Sequence, residues 1–320
     1  MQQKLIIDTD PGIDDAMAIH YAFAHPGLDV LGLTTIFGNV FVPQATRNAL
    51  LLSEQAHYHV DVAEGANQPQ AQSLNPPSQH VHGAEGFGDV AVSQPNGTAV
   101  EMNAADYIAK TCRQHSGEVI LCPVGPLTNI AAALRADPEL VNHVQKVVIM
   151  GGAVWASGNV SAHAEANIWN DPHAADEVFA ADWDIDLIGL DVTQKILCDD
   201  TDFARLRKAS PDIGGFLHDI SSFYIKFYHS IIQQHVCLMH DPSALVAITD
   251  ERFFGFKVTP LSVVCEGEAV GQTVPDERLS RRPVRVAISA DVQKVKSCFL
   301  DICATADTMK RKRMASHAGS

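Results

Sequence analysis

The 320-residue sequence predicts an α/β fold: a doubly wound, mainly parallel sheet, Rossmann-like, with a helical C-terminal portion. Three observations predict it. Short apolar, β-branched runs alternate with segments of helical apolar spacing through most of the chain. The first of these runs is continuous rather than alternating, as suits a strand buried on both faces of a parallel sheet. Polar residues collect just after the runs, where an open α/β sheet gathers its ligand crevice.

The opening stretch sets the pattern. Leu5-Ile6-Ile7 reads as a strand, Pro11-Gly12 breaks it, and residues 13–21 are apolar at helical spacing. A strand over 29–37 ends in Gly38-Asn39, a helix follows over 44–55, and 60–63 is a further strand. From 65 to 97 the composition shifts to Gly, Pro, Asn, Gln and His, a long loop of the kind that carries function. A helix over 104–115 precedes strand 119–123, the turn Val124-Gly125-Pro126 and a helix over 127–135. Strand 146–150 ends in Gly151-Gly152, and irregular chain runs on to Asp171. Pro172 opens a helix over 172–181 at its favoured first-turn position, and strand 185–190 ends at Asp191. Beyond it the longest amphipathic stretch covers 213–234, Asp241-Pro242 caps another helix, and 258–264 and 284–288 read as late strands. No repeat or linker divides the chain. Residues 1–310 are expected as a single domain and 311–320, opened by the basic run Lys310-Arg311-Lys312-Arg313, as a solvated, disordered tail.

Composition removes several functions. Lys and Arg number 23 against 38 Asp and Glu, a formal net of −15. Nucleic acid and anionic membranes require a basic surface, so neither is expected as partner. No apolar run approaches the ~20 residues of a membrane span, and no signal peptide precedes the first strand. The seven cysteines (112, 122, 198, 237, 265, 298 and 303) are odd in number, lack CxxC pairing and lie partly in apolar runs. They read as reduced core thiols of a cytoplasmic protein. There is no GxSxG, GxxxxGK[ST] or HExxH, and no GxGxxG opens a helix after a strand.

What remains is acidic. Asp8, Asp10, Asp14 and Asp15 crowd the first turn. One or two acids there are explained by the helix macrodipole, worth ~0.3–1 kcal/mol. Four are not, because mutual repulsion raises their pKa values unless a cation or strong donors compensate. A hard divalent cation with oxygen ligands, Ca²⁺ or Mg²⁺, is the economical solution.

The string Asp8-Thr9-Asp10-Pro11-Gly12-Ile13-Asp14-Asp15 resembles the N-terminal motif of the inosine–uridine-preferring nucleoside hydrolases, calcium-dependent enzymes that cleave the N-glycosidic bond of ribonucleosides. The resemblance runs from Leu5 to about Ile248 and implies the nucleoside hydrolase fold. Within 34–40, Asn39 matches an active-site asparagine. Cys122-Pro123-Val124-Gly125-Pro126-Leu127-Thr128-Asn129 matches the segment whose backbone carbonyl, here that of Val124, ligates calcium. Asn159, Glu165 and Asn167 match positions that bond ribose hydroxyls, joined by Asp14 and by Met150 at its strand end. Ala166 stands where the family often has an aromatic. In Met239-His240-Asp241-Pro242 the histidine matches one linked to leaving-group protonation and the aspartate a calcium ligand. His82 and Tyr228 match positions near the nucleobase.

The resemblance thus implies Ca²⁺ held by Asp10, Asp15, Asp241 and the Val124 carbonyl. It also implies Asp10 as general base, His240 as acid, a small-molecule ribonucleoside as substrate, and a homo-oligomer, dimer or tetramer. Two other readings stand beside it. One is a metal-dependent DxD-type phosphatase with Asp8 as nucleophile, against which Pro11-Gly12 argues. The other is a non-catalytic nucleoside-binding protein. Preference for one base is not written in the motifs.

Overall fold

The computed structural model describes residues 2–318. In chain order its strands are β1 (Gln3–Thr9), β2 (Leu28–Thr35), β3 (Asp61–Glu64), β4 (Val119–Pro123), β5 (Val144–Met150), β6 (Ile185–Ile188), β7 (Leu197–Asp199), β8 (Val236–Leu238), β9 (Phe254–Thr259), β10 (Leu261–Val263), β11 (Thr273–Pro275) and β12 (Val284–Ala290). The helices are α1 (Ile13–Ala24), α2 (Val42–Ala56), α3 (Gln79–His82), α4 (Ala104–Gln114), α5 (Thr128–Ala136), α6 (Ala166–Asn170), α7 (Pro172–Ala180), α8 (Leu190–Thr193), α9 (Asp200–Ala209), α10 (Ile213–Ile232), α11 (His240–Thr249), α12 (Val292–Cys303) and α13 (Ala306–Ala318).

Eight strands form one sheet in the order β3-β2-β1-β4-β5-β6-β12-β9. Its neighbours run parallel except β12 and β9. The chain winds outward in one direction from β1 through β2 to β3, then returns to place β4 on the other side of β1. That reversal is the topological switch point, and ligands of open α/β sheets bind beyond the carboxyl ends of the strands there. Strand β1 is buried on both faces, as its apolar run requires. Leu5 and Ile7 join the core cluster that contains α1, α10 and α11, and Ile6 joins the one under α4, α5 and α7. Each such side chain removed from water contributes about 1.5–3 kcal/mol. Helix α1 is buried along its whole length, which fixes the acidic turn at its start deep in the molecule.

Three local expectations fail for identifiable reasons. The strand expected over 258–264 is split at Pro260, which has no N–H for a ladder. Its first part pairs with β12 and its second, β10, pairs with β11 in a separate hairpin. Helix α11 starts at His240 with Met239 as its cap residue, so Asp241 lies in the first turn and does not cap it. The third concerns the tail: residues 311–318 continue α13, while 319 and 320 lie outside the described residues. Arg313 donates to the backbone carbonyls of Phe23 and Ala56 and lies over the Tyr58 ring at 4.6 Å. A basic run read by charge alone looks solvated, yet one of its arginines is half-buried. Among the described residues no helix is long and apolar enough to cross a membrane. Cys112, Cys122, Cys198, Cys237 and Cys303 are buried free thiols, and Cys265 and Cys298 are partly so.

Candidate active site

The acidic turn at the end of β1 is organised around Asp15. Its Oδ1 accepts hydrogen bonds from the Thr9 hydroxyl (2.6 Å) and the Asp10 N–H (3.2 Å). Its Oδ2 accepts from the Gly12 N–H and from Asn39 Nδ2, both at 2.9 Å. Asn39 also donates its backbone N–H to Asp10 Oδ2 at 2.6 Å. Asp10 is bracketed by glycines at the ends of β2 and β4. A Cβ at Gly38 would overlap Oδ2, and one at Gly125 would lie 2.7 Å from Oδ1. Asp10 Oδ1 and Asp14 Oδ1 are buried and have no hydrogen-bond partner.

Carboxylate oxygens of Asp14, Asp15 and Asp241 lie within 4.8 Å of one another, although Asp241 comes from α11. Asp10 adjoins this group without joining it. Burial, then the Asp15 charge, pushes Asp14 up to about 8 and Asp10 well above the usual carboxylate range. Asp241 is driven up by burial and then by Asp14, Asp15 and Asp10. Asp15 is raised by burial despite its four donors. Asp8, the nucleophile of the phosphatase reading, is buried, and its Oδ1 is held by the Thr34 hydroxyl and Asn129 Nδ2. Burial raises it to about 7.

Across from the carboxylates runs a chain of hydroxyls and imidazole. Tyr224 Oη donates to Asp14 Oδ2 (3.1 Å), Tyr228 Oη lies 3.4 Å from Tyr224 Oη, and His240 Nε2 lies 2.9 Å from Tyr228 Oη. His240 Nδ1 lies 2.8 Å from Thr193 Oγ1. Burial lowers His240 to about 4, so its ring is neutral at neutral pH. His82 closes over the turn. Its Nδ1 accepts the Ile13 N–H at 3.1 Å and stands 3.8 Å from Asp14 Oδ1. An accepting Nδ1 carries no proton, so this contact is not an ion pair. Burial, then the nearby His240 and His80, holds His82 down to about 3.

The remaining predicted residues lie at the ends of β4 and β5. Asn167 Nδ2 donates to the Val124 carbonyl (2.8 Å) and the Met150 carbonyl (3.2 Å), tying the two strand ends together. Glu165 is buried, and its two oxygens accept backbone N–H groups of Asn167, Gly152 and Ile168. Asn159 stands apart: it is exposed on the loop, and its side-chain oxygen accepts the Ala166 N–H. Tyr224, Thr193, Asn129 and Asn48 were not among the predicted residues. Asn48 bridges the Pro11 and Glu85 carbonyls, fastening the long loop to the acidic turn. Tyr224 had a visible signal, since it sits four residues before Tyr228 on the same helical face. The others had none. A cavity of about 540 Å³ lined by Trp155, Ala156, Asp191, Gln194, Lys195, Lys257 and Ile288 includes none of the acidic cluster.

Fold and site together define an α/β enzyme whose carboxylate crevice lies at the sheet's switch point. A family model described as inosine-uridine preferring nucleoside hydrolase matches residues 5–297, well beyond the last motif legible in the sequence. The chain belongs to that family and is a ribonucleoside hydrolase, a glycosidase acting on N-glycosyl bonds. It is 39% identical over 305 residues to the probable uridine nucleosidase 1 of Oryza sativa subsp. japonica, covering 92% of this chain and 94% of the relative. Among solved structures it superposes on a plant nucleoside hydrolase with TM-score 0.92 and 34% identity, covering 95% of this chain and 99% of that one. A purine-preferring ribonucleoside hydrolase from Gardnerella vaginalis gives TM-score 0.91 and 34% identity with the same coverage. These relatives span both base classes in their names.

Proposed function

We propose that this chain carries out calcium-dependent hydrolysis of ribonucleosides such as inosine or uridine to ribose and free base, in nucleoside salvage. The observation that carries the reading is the placement of the Asp10, Asp14, Asp15 and Asp241 carboxylates on one side of the crevice and the Tyr224-Tyr228-His240 chain beside it. N-glycosidic cleavage passes through an oxocarbenium-like state and needs help on both sides of the bond, for water and for the departing base.

The donor set suits a hard cation. Asp15 and Asp241 supply carboxylates that converge with that of Asp14, Asp10 beside them and the Val124 carbonyl complete the proposed set, and the buried orphan oxygens on Asp10 and Asp14 lack a hydrogen-bond partner. Bound there, Ca²⁺ would hold water and the sugar diol and lower the pKa of the water. Asp10 acts as general base: Oδ2 is anchored by Asn39, and Oδ1 is free to take a proton from water. Asp14, Glu165 and Asn167 bind the ribose hydroxyls, with Asn39 and Met150 lining the site, while Asn159 stays on the exposed loop. His82 and Tyr228 contact the base. His240 serves the leaving side as acid or hydrogen-bond donor. We further propose that the protein is cytoplasmic and a homo-oligomer; exposed Trp155, Val258 and Ile288 support self-association.

The test is direct. The protein is incubated with inosine, uridine, cytidine and adenosine, with and without chelator, and reducing sugar is measured. Ribose release that chelator abolishes and calcium restores is the expected result. Release indifferent to chelator would remove the metal, and no release from any nucleoside would remove the proposed substrates.

A further inference from the structure

The hydrogen-bond chain ending at His240 has a direction that can be worked out from either end. At one end Tyr224 donates its hydroxyl to Asp14 Oδ2. Tyr224 is then an acceptor toward Tyr228, and Tyr228, having spent its proton on Tyr224, is an acceptor toward His240. His240 Nε2 must therefore carry the hydrogen. At the other end, Thr193 is fully buried, and His240 Nδ1 is the only partner of its hydroxyl among the described residues. A buried hydroxyl needs an acceptor, so Thr193 donates to Nδ1. The two ends agree: Nδ1 accepts and Nε2–H donates.

Resting on the hydrolase reading above, we propose that Thr193 is a positioning residue that fixes His240 in its Nε2–H tautomer, so that the donor of the leaving side is kept at Nε2, against Tyr228. Thr193 belongs to α8, directly after β6, and touches the reaction only through His240. Without its hydroxyl, neither tautomer satisfies Nδ1. The Nδ1–H form then becomes accessible, leaving a bare Nε2 that Tyr228 can donate to. The leaving side has then lost its donor, while the carboxylate side is unchanged.

Thr193→Val removes the hydroxyl at nearly constant volume, and Thr193→Ser keeps it. Both are compared with wild type on inosine and uridine and on p-nitrophenyl riboside, whose leaving group departs without a proton. Thr193→Val should lower kcat on the natural nucleosides at least ~10-fold, as loss of a ligand-orienting partner does, with KM within about threefold and the nitrophenyl substrate nearly spared. Thr193→Ser should restore the natural rates. In protein with ¹⁵N-labelled imidazole and no substrate, His240 should be protonated on Nε2 in wild type and Thr193→Ser, and should lose that preference in Thr193→Val. Equal losses on both substrate types, no loss on nucleosides, or failure of the serine variant to restore activity would each overturn the assignment. An Nδ1-protonated His240 in the wild type would overturn it independently of any activity. A wild type that hydrolyses no ribonucleoside would instead count against the hydrolase reading, with the spectra still deciding the tautomer.

Discussion

Asp10 has two unlike oxygens: Oδ2 is held by the Asn39 N–H at 2.6 Å, and Oδ1 is buried with no partner. Asparagine at this position can still accept from Asn39 through its carbonyl oxygen, but it cannot take a proton from water. Asp10→Asn should therefore lower kcat ~10²–10⁴-fold on every nucleoside, and equally on p-nitrophenyl riboside. Nitrophenyl hydrolysis that survives the change would cancel the base role. The sugar contacts are argued at the same scale. If Asp14, Glu165 and Asn167 grip ribose, an absent 2′-hydroxyl leaves buried groups unpaired, and discrimination of ~10⁴-fold against 2′-deoxynucleosides is expected. Comparable kcat/KM for deoxyinosine and inosine would contradict that assignment. Glu165 already accepts three backbone N–H groups, so it also shapes the loop.

Helix α13 shows what an element can hide from a one-dimensional reading. Its basic run looked like a tail, yet Arg313 bonds two carbonyls at the ends of α1 and α2 and covers Tyr58. Asp307 accepts the N–H groups of Asp212 and Ile213, which fastens the start of α10. Deleting residues 311–320 should cost about 1–3 kcal/mol through the lost charged hydrogen bonds, read as a lower urea midpoint with unchanged slope. Unchanged stability would return the segment to the status of a tail. Elements with several turns or a buried β-branched run were legible: β1, α2, β4, α7 and α10 lie within a few residues of their expected positions. The three-residue strands β7 and β8 were not, because a run that short shows no period. The acidic turn was legible because its four aspartates are neighbours in sequence. The Thr193–His240 contact spans 47 residues and depends on where α8 and α11 meet. Spacing along the chain holds no record of that.

The whole molecule stores repulsion at its switch point, and this sets how stability depends on pH. In the folded chain Asp8 titrates at about 7 and Asp14 at about 8, both raised first by burial. Unfolded aspartates titrate near ~4, so between about 4 and 8 the folded state holds more protons than the unfolded one. The contribution of this cluster to stability is therefore fully present below about pH 4 and is lost as pH rises through the folded values. Carboxylates of the opposite kind, such as Asp137, which its Arg113 partner holds below the usual range, gain stability over the acid end instead. Those terms are common to stripped and calcium-loaded protein and cancel in the difference between them. Cation binding competes with the cluster's protons, so the rise in Tm on adding Ca²⁺ should be small near pH 5 and grow toward about pH 8. Calorimetric melts of chelator-stripped and calcium-loaded protein across that range measure it. A calcium shift that is flat with pH, or larger at the acid end, would mean that these carboxylates are not where the cation binds.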